Sequence, residues 1–289
     1  MADCIAAVPR YPGADERELA RSVVRAGGGP ASTAAVAAAR AGAARVAFVG
    51  TVGDDLAGEE LLTELRAEGI DVDGVTRLPG VATGSSVIVV DLAAGTRAIS
   101  ALPGPAVQLN DVATARIRSA RWVHTDHLGW AATTRALAGL TERPRLSVDI
   151  SYPVEGFSPA GVDLYVPNLA AATSRYPEAA GNLEELLDRA LAEGAGTVVI
   201  TRGGDGSAAT GPDGARHLVQ AHRSPVLSTP GAGDVFHGAL LAAVDAGRPL
   251  PEAMRYAGAV AALSCRALDG RSAIPTHAET LTALAGTTG

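Results

Sequence analysis

The chain has 289 residues, 47% of them hydrophobic, and carries a net charge of −7. That is ample apolar material for one large core, and the acidic balance argues against nucleic-acid or anionic-membrane partners. All 24 basic residues are arginine, so a Walker A loop, which needs its lysine, is excluded. The two cysteines, Cys4 and Cys265, stand far apart without metal-ligand spacing and read as reduced thiols. With no signal peptide and no uninterrupted apolar span of about 18 residues, the expected location is the cytoplasm.

In chain order, Ser22–Ala26 reads as a short strand, followed by Gly27-Gly28-Gly29-Pro30-Ala31-Ser32-Thr33 and a small-residue helix over Ala34–Ala41. A glycine loop before a helix lets a ligand's hydroxyls meet backbone N–H groups at close range; the alternative is tight helix–sheet packing. Arg45–Gly50 is a predicted strand. Thr51–Gly58 is then a turn in which Asp54 or Asp55 caps the helix Glu59–Glu68. Thr83–Asp91 and Thr96–Ala101 form a predicted hairpin across Gly95, rich in β-branched and small residues. Arg97 on that hairpin is either a solvated surface arginine or a contact for an anionic substrate.

From Val112 onward strands and helices alternate, the pattern of a parallel sheet covered on both faces. Arg121–His124 ends at Thr125-Asp126-His127, and Leu146–Asp149 ends at Ile150-Ser151. Leu164–Val166 ends at Pro167-Asn168, and Thr197–Thr201 ends at Arg202-Gly203-Gly204-Asp205-Gly206. Ligands of open α/β sheets bind beyond the carboxyl ends of strands, where these polar residues cluster. Gly211–Gly214 reads as a turn, Met254–Cys265 as a helix and Gly286–Gly289 as a tail.

The most informative stretch is Ser228–Gly238. A Gly231-Ala232-Gly233 turn leads into Asp234 and then an apolar run, Ala239–Val244, with helical spacing. A glycine turn opening a helix presents unpaired N–H groups backed by the positive end of the helix dipole, a setting that suits phosphate. Asp234 lies at the edge of that turn, where a carboxylate can accept a hydroxyl proton. The plainer reading is an ordinary loop with an Asp cap.

Ser228–Gly238 resembles the C-terminal signature of the ribokinase-like (PfkB) carbohydrate kinases, and the resemblance extends over nearly the whole chain. It implies a ribokinase-like α/β fold: a doubly wound, mostly parallel sheet with helices on both faces and a small β-sheet lid. Residues 1–289 would be a single kinase domain with lid segments near 5–27 and 77–105. Asp234 would be the catalytic base, with the Gly231, Ala232 and Gly233 turn as anion hole. Asp3, at the spacing of the family's substrate-binding Asp, would orient a sugar with Gly28, Gly29 and Thr33, and Arg97 and Asp126 would face the same substrate. No strand is expected before Asp3, although family members usually begin with one.

Thr201, Gly203 and Gly206 are similar to the family's nucleotide loop, and Asn168 and Gly270 would complete that site. ATP and Mg²⁺ are the implied cofactors. Two departures stand out. The family's Asn-x-x-Glu appears as Asn168-Leu169-Ala170-Ala171, and Ser228-Thr229-Pro230 replaces its Asp-Thr, which puts the family's monovalent cation in doubt. The Gly-Gly-Pro-Ala loop, Val235-Phe236-His237-Gly238 and Gly270-Arg271 look most like the branch with sulfofructose kinase and ketohexokinase. The implied partners are a sugar and ATP, with a homodimer formed through the lid. A nucleoside kinase and a non-catalytic sensor remain the alternatives.

Overall fold

The structure, a computed structural model, describes residues 1–286; the predicted tail beyond Gly286 lies outside the described residues. β1 (Ala2–Val8) runs antiparallel to β2 (Ser22–Gly27), and α1 (Pro30–Arg40) starts behind the glycine loop. β3 (Gly50–Gly53) leads into α2 (Leu56–Ala67) and pairs in parallel with β4 (Val75–Leu78). β5 (Ser85–Asp91) and β6 (Thr96–Leu102) form the antiparallel hairpin, and β5 lies parallel to β1, giving a lid sheet in the order β2-β1-β5-β6. Ile5, Ile88 and Val90 fill its buried face, while Val23 and Val87 stand exposed on the other. Asp3 therefore sits inside a lid strand.

The rest of the chain runs α3 (Asp111–Ser119), β7 (Trp122–Asp126), α4 (Trp130–Leu137), β8 (Arg145–Asp149), β9 (Leu164–Tyr165), α5 (Leu169–Arg175) and α6 (Leu183–Ala192). It continues through β10 (Thr197–Thr201), β11 (Ser207–Thr210), β12 (Arg216–Val219), α7 (Ala232–Asp245), α8 (Leu250–Ser264) and α9 (His277–Ala285). The sheet order is β12-β11-β10-β9-β8-β7, parallel from β7 to β10 and antiparallel beyond. Side chains alternate between two cores, as a period of two requires. Leu164, Val166, Val199 and Ala209 pack toward α1, α7 and α8, whereas Tyr165, Val198, Ile200 and Ala208 pack toward α5 and α6. Among the described residues, no helix is long and apolar enough to cross a membrane.

One expectation needs correction. The predicted strand Arg45–Gly50 begins only at Gly50. Residues 45–49 carry a single bridge, Ala47 to Asp71, because β7 lies across a cavity rather than hydrogen-bonded beside them. Gly211–Gly214 is a turn, as the sequence predicts, and it closes a β-hairpin, β11–β12. Its first strand, Ser-Ala-Ala-Thr, is held by complete burial rather than by β-propensity.

One close approach positions the site. A Cβ on Gly238 would lie 2.0 Å from the Ala34 carbonyl oxygen, so only glycine lets α7 reach the backbone of α1. The N-terminal turns of both helices consequently open into one cavity.

Candidate active site

The cavity, about 1430 Å³, is lined by Asp3, Gly29, Arg97, Asp126 and the Gly231–Asp234 turn. α7 starts at Gly231 in the left-handed region (φ 72°, ψ −2°) with no side-chain cap. A Cβ on Gly231 would stand 3.2 Å from Gly270 Cα and 3.4 Å from the Thr33 methyl. The Val235 amide makes the first helical bond, to the Gly231 carbonyl (2.8 Å), and the Ala232 amide donates to the Thr229 carbonyl (3.3 Å). The amides of Gly233 and Asp234 have no acceptor within the helix, as first-turn geometry dictates. They point the positive end of α7 at the cavity. Burial, followed by the charge of Asp149, pushes the Asp234 carboxyl up to about 7, the range of a general base near neutrality.

The start of α1 is built differently. Gly29 is also left-handed (φ 92°), and a Cβ on Gly28 would lie 1.9 Å from Asp3 Oδ2. Asp3 Oδ1 accepts a hydrogen bond from Ser86 Oγ (2.7 Å). Asp126, at the end of β7, accepts from the Ala31 amide through Oδ2 (3.1 Å) and from the Leu128 and Gly129 amides through Oδ1 (3.0 and 2.8 Å). Thr33 faces away from the cavity, its hydroxyl accepting from Arg271 Nε (3.2 Å). Arg271 also donates through Nη2 to the Gly28 carbonyl (2.8 Å) and Ser32 Oγ (2.6 Å). Burial pulls its guanidinium below its ordinary pKa. This clamp from the C-terminal segment onto the glycine loop was not legible in sequence. Arg97 donates through Nη1 to Thr229 Oγ1 (2.7 Å), joining the lid to the loop before α7.

Asn168, Gly203 and Gly206 stand beyond β9 and β10, Thr201 ends β10, and none of the four is among the residues lining the cavity. Asn168 caps α5, its Oδ1 accepting from the Ala171 amide (2.8 Å), while its Nδ2 donates to Ser151 Oγ (3.4 Å). Thr201 pairs with it through a parallel bridge. Gly206 (φ 84°) turns where a Cβ would sit 2.0 Å from the Val219 carbonyl oxygen. Gly270 packs on Gly231, so it connects the C-terminal segment to the α7 turn. His127 lines the cavity with its ring 5.1 Å from that of Tyr152. Asp55 is the residue that caps α2, accepting from the Gly58 amide and from Thr83.

Residues 1–277 match the pfkB family carbohydrate kinases. The chain belongs to this family. It is 27% identical to ketohexokinase from Mus musculus over 278 residues, covering 91% of this chain and 92% of that protein. It is also 27% identical to ribokinase from Bacillus subtilis, covering 96% and 94%. The structure of Arabidopsis thaliana ribokinase complexed with ribose and ATP superposes with a TM-score of 0.79 at 20% identity, covering 98% of this chain and 95% of that one. The protein is thus an ATP-dependent carbohydrate kinase with the ribokinase fold.

For this kinase, the residues present supply no all-protein cage for Mg²⁺, an ion that kinases hold mainly through substrate phosphates and one or two carboxylates. Among the described residues no group of three His, Cys, Asp or Glu side chains could hold a metal ion. Asn168 Oδ1 is engaged as a helix cap, and Ala171 offers no oxygen beyond its backbone. The monovalent cation fares no better near Thr229, whose hydroxyl already accepts from the Arg97 guanidinium.

Proposed function

We propose that this kinase phosphorylates a hydroxyl of a neutral ketose or related sugar, with Asp234 as base. The observation that carries the reading is the uncapped α7 turn with a carboxylate at its mouth. Phosphoryl transfer needs positioning and charge neutralisation more than covalent help. As the acceptor oxygen attacks the γ-phosphoryl group of ATP, Asp234 takes its proton. The amides of the Gly231–Asp234 turn meet the charge that develops on the transferring group. Asp3, Gly28 and Gly29 orient the sugar, while Asn168, Thr201, Gly203, Gly206 and Gly270 serve the nucleotide.

A neutral acceptor is favoured because Asp126 presents a carboxylate to the cavity. Of the arginines at the two glycine turns, Arg97 already donates to Thr229 and Arg271 does not line the cavity. An anionic sugar would want a free bidentate guanidinium. One observation favours a nucleoside instead: Tyr152, 65% exposed, lines the cavity beside His127 and offers a stacking face. The test is kcat/KM for fructose, its 6-phosphate and 6-sulfonate analogues, and purine nucleosides. Fructose should lead; an anionic sugar or a nucleoside winning by more than about tenfold, or 1.4 kcal/mol, overturns the assignment.

We also propose a homodimer through the bare lid face bearing Val23 and Val87. Light scattering should report twice the chain mass at micromolar concentration; a fully active monomer would contradict it.

A further inference from the structure

One turn along α7 from Asp234 stands a second ionisable side chain, His237, with 4% of its surface exposed. Its Nε2 lies 2.7 Å from the Val166 carbonyl oxygen. Its Nδ1 lies 2.9 Å from Asp149 Oδ2 at the end of β8. A carbonyl oxygen only accepts, so Nε2 must carry a hydrogen. An ionised carboxylate offers no proton, and a bare Nδ1 lone pair 2.9 Å from it would be repelled, so Nδ1 carries one too, as an ion-pair contact not aligned for a hydrogen bond. With Asp149 ionised, only the imidazolium suits both contacts, one a hydrogen bond and the other an ion pair. Asp149 is itself fixed as an acceptor by Ser151, whose Oγ donates to Oδ1 (2.8 Å), and Ser151 in turn receives the Asn168 amide.

We propose that His237 is a positioning residue: a permanently protonated histidine, held by Asp149 and the Val166 carbonyl, whose charge opposes that of Asp149 and favours the ionised form of the neighbouring Asp234, the form that accepts the hydroxyl proton. The proposal rests on the reading of Asp234 as base. No proton passes to His237 during turnover, since both ring nitrogens are already occupied.

The groups facing His237 fit this assignment. Burial works against its charge, yet the Asp149 carboxylate and the Val166 carbonyl outweigh it and hold its pKa above the ordinary value. Burial also works against the Asp149 charge, but His237 brings that carboxyl down to about 2. From β7, the His124 ring stacks 5.6 Å away. Burial and the His237 charge press His124 down to about 4, so it stays neutral beside its charged neighbour. Asp126, at the end of β7, pushes the Asp234 carboxyl up, and Arg271, in the C-terminal segment, pulls it down alongside His237. Without the imidazolium, burial and the Asp149 charge would act on Asp234 with less opposition, and a larger share of the base would be protonated at neutral pH.

Two measurements decide the matter. Nitrogen-15 NMR of histidine-labelled protein, with His237→Asn assigning the signal, should show both ring nitrogens of His237 protonated at pH 8. A neutral tautomer at pH 7 would overturn the proposal, whatever the kinetics show. The second readout is the acid limb of the kcat/KM profile. In His237→Asn it should move up by about one pH unit, a roughly tenfold loss below the limb. In Asp149→Asn/His237→Asn, which removes both opposing charges, it should return toward the wild-type position. A folded His237→Asn protein with an unmoved limb, or a double variant keeping the full shift, would leave His237 with a packing role only. If Asp234→Asn retains activity, the base assignment fails, and the NMR result then stands separately from it.

Discussion

Two helices begin at left-handed glycines and open into the same cavity, yet their first turns are finished in opposite ways. At α1 the protein supplies its own anions. Asp126 accepts from the Ala31 amide, the Asp3 carboxylate packs against Gly28, and Arg271 secures the loop from behind. At α7 no side chain caps the turn, and the nearby carboxyl, Asp234, has a raised pKa. A helix start already occupied by carboxylate repels a second anion and suits hydroxyls, whereas one left open attracts phosphate. Under the proposed function, the difference divides the labour between sugar and phosphoryl group within a single concave site.

Apart from loss of the base itself, the comparison is broken most severely at Gly231. Gly231→Val places a β-branched residue at φ 72°, against Gly270 and Thr33, a conformation such residues avoid. Tilting the α7 amides off the transferring group should lower kcat by about 10²–10³-fold, the scale of losing an oxyanion donor. Steady-state kinetics on protein with unchanged far-UV circular dichroism checks this. The smallest effect belongs to Arg97→Ala. Its bond to Thr229 is exposed and is worth no more than about 1 kcal/mol. The KM for the sugar should rise less than about fivefold with kcat unchanged; a large fall in kcat would place Arg97 in the chemistry.

Much of this contrast could be read from the chain because it rests on local backbone needs. Gly231 before an apolar helix, and Gly28 and Gly29 before a small-residue one, are positions that need glycine for a positive φ or a close approach. Asp55 was legible as one of two candidate caps for the same kind of reason. The features that finish the turns were not legible. Arg271 reaches Gly28 across 243 positions, His237 reaches Val166 across 71 and Arg97 reaches Thr229 across 132. Pairings at such separations leave no periodic trace. The strand at Gly50–Gly53 was misplaced because residues 45–49 look like strand but are paired only through Ala47. Asp126 was legible as a polar residue at a strand end, but not as the acceptor that closes α1.

The central claim, that α7 holds the reacting groups while α1 holds the sugar, is tested most directly by measuring kcat for Asp234→Asn and Asp126→Asn side by side. Losing a positioned base should cost about 10²–10⁴-fold in a folded Asp234→Asn protein. Asp126→Asn, which removes an acceptor engaged with backbone amides, should keep kcat within about tenfold while lowering stability by about 0.5–2 kcal/mol. Asp234→Asn within a few-fold of wild type, or Asp126→Asn as the more damaging change in kcat, would contradict the account.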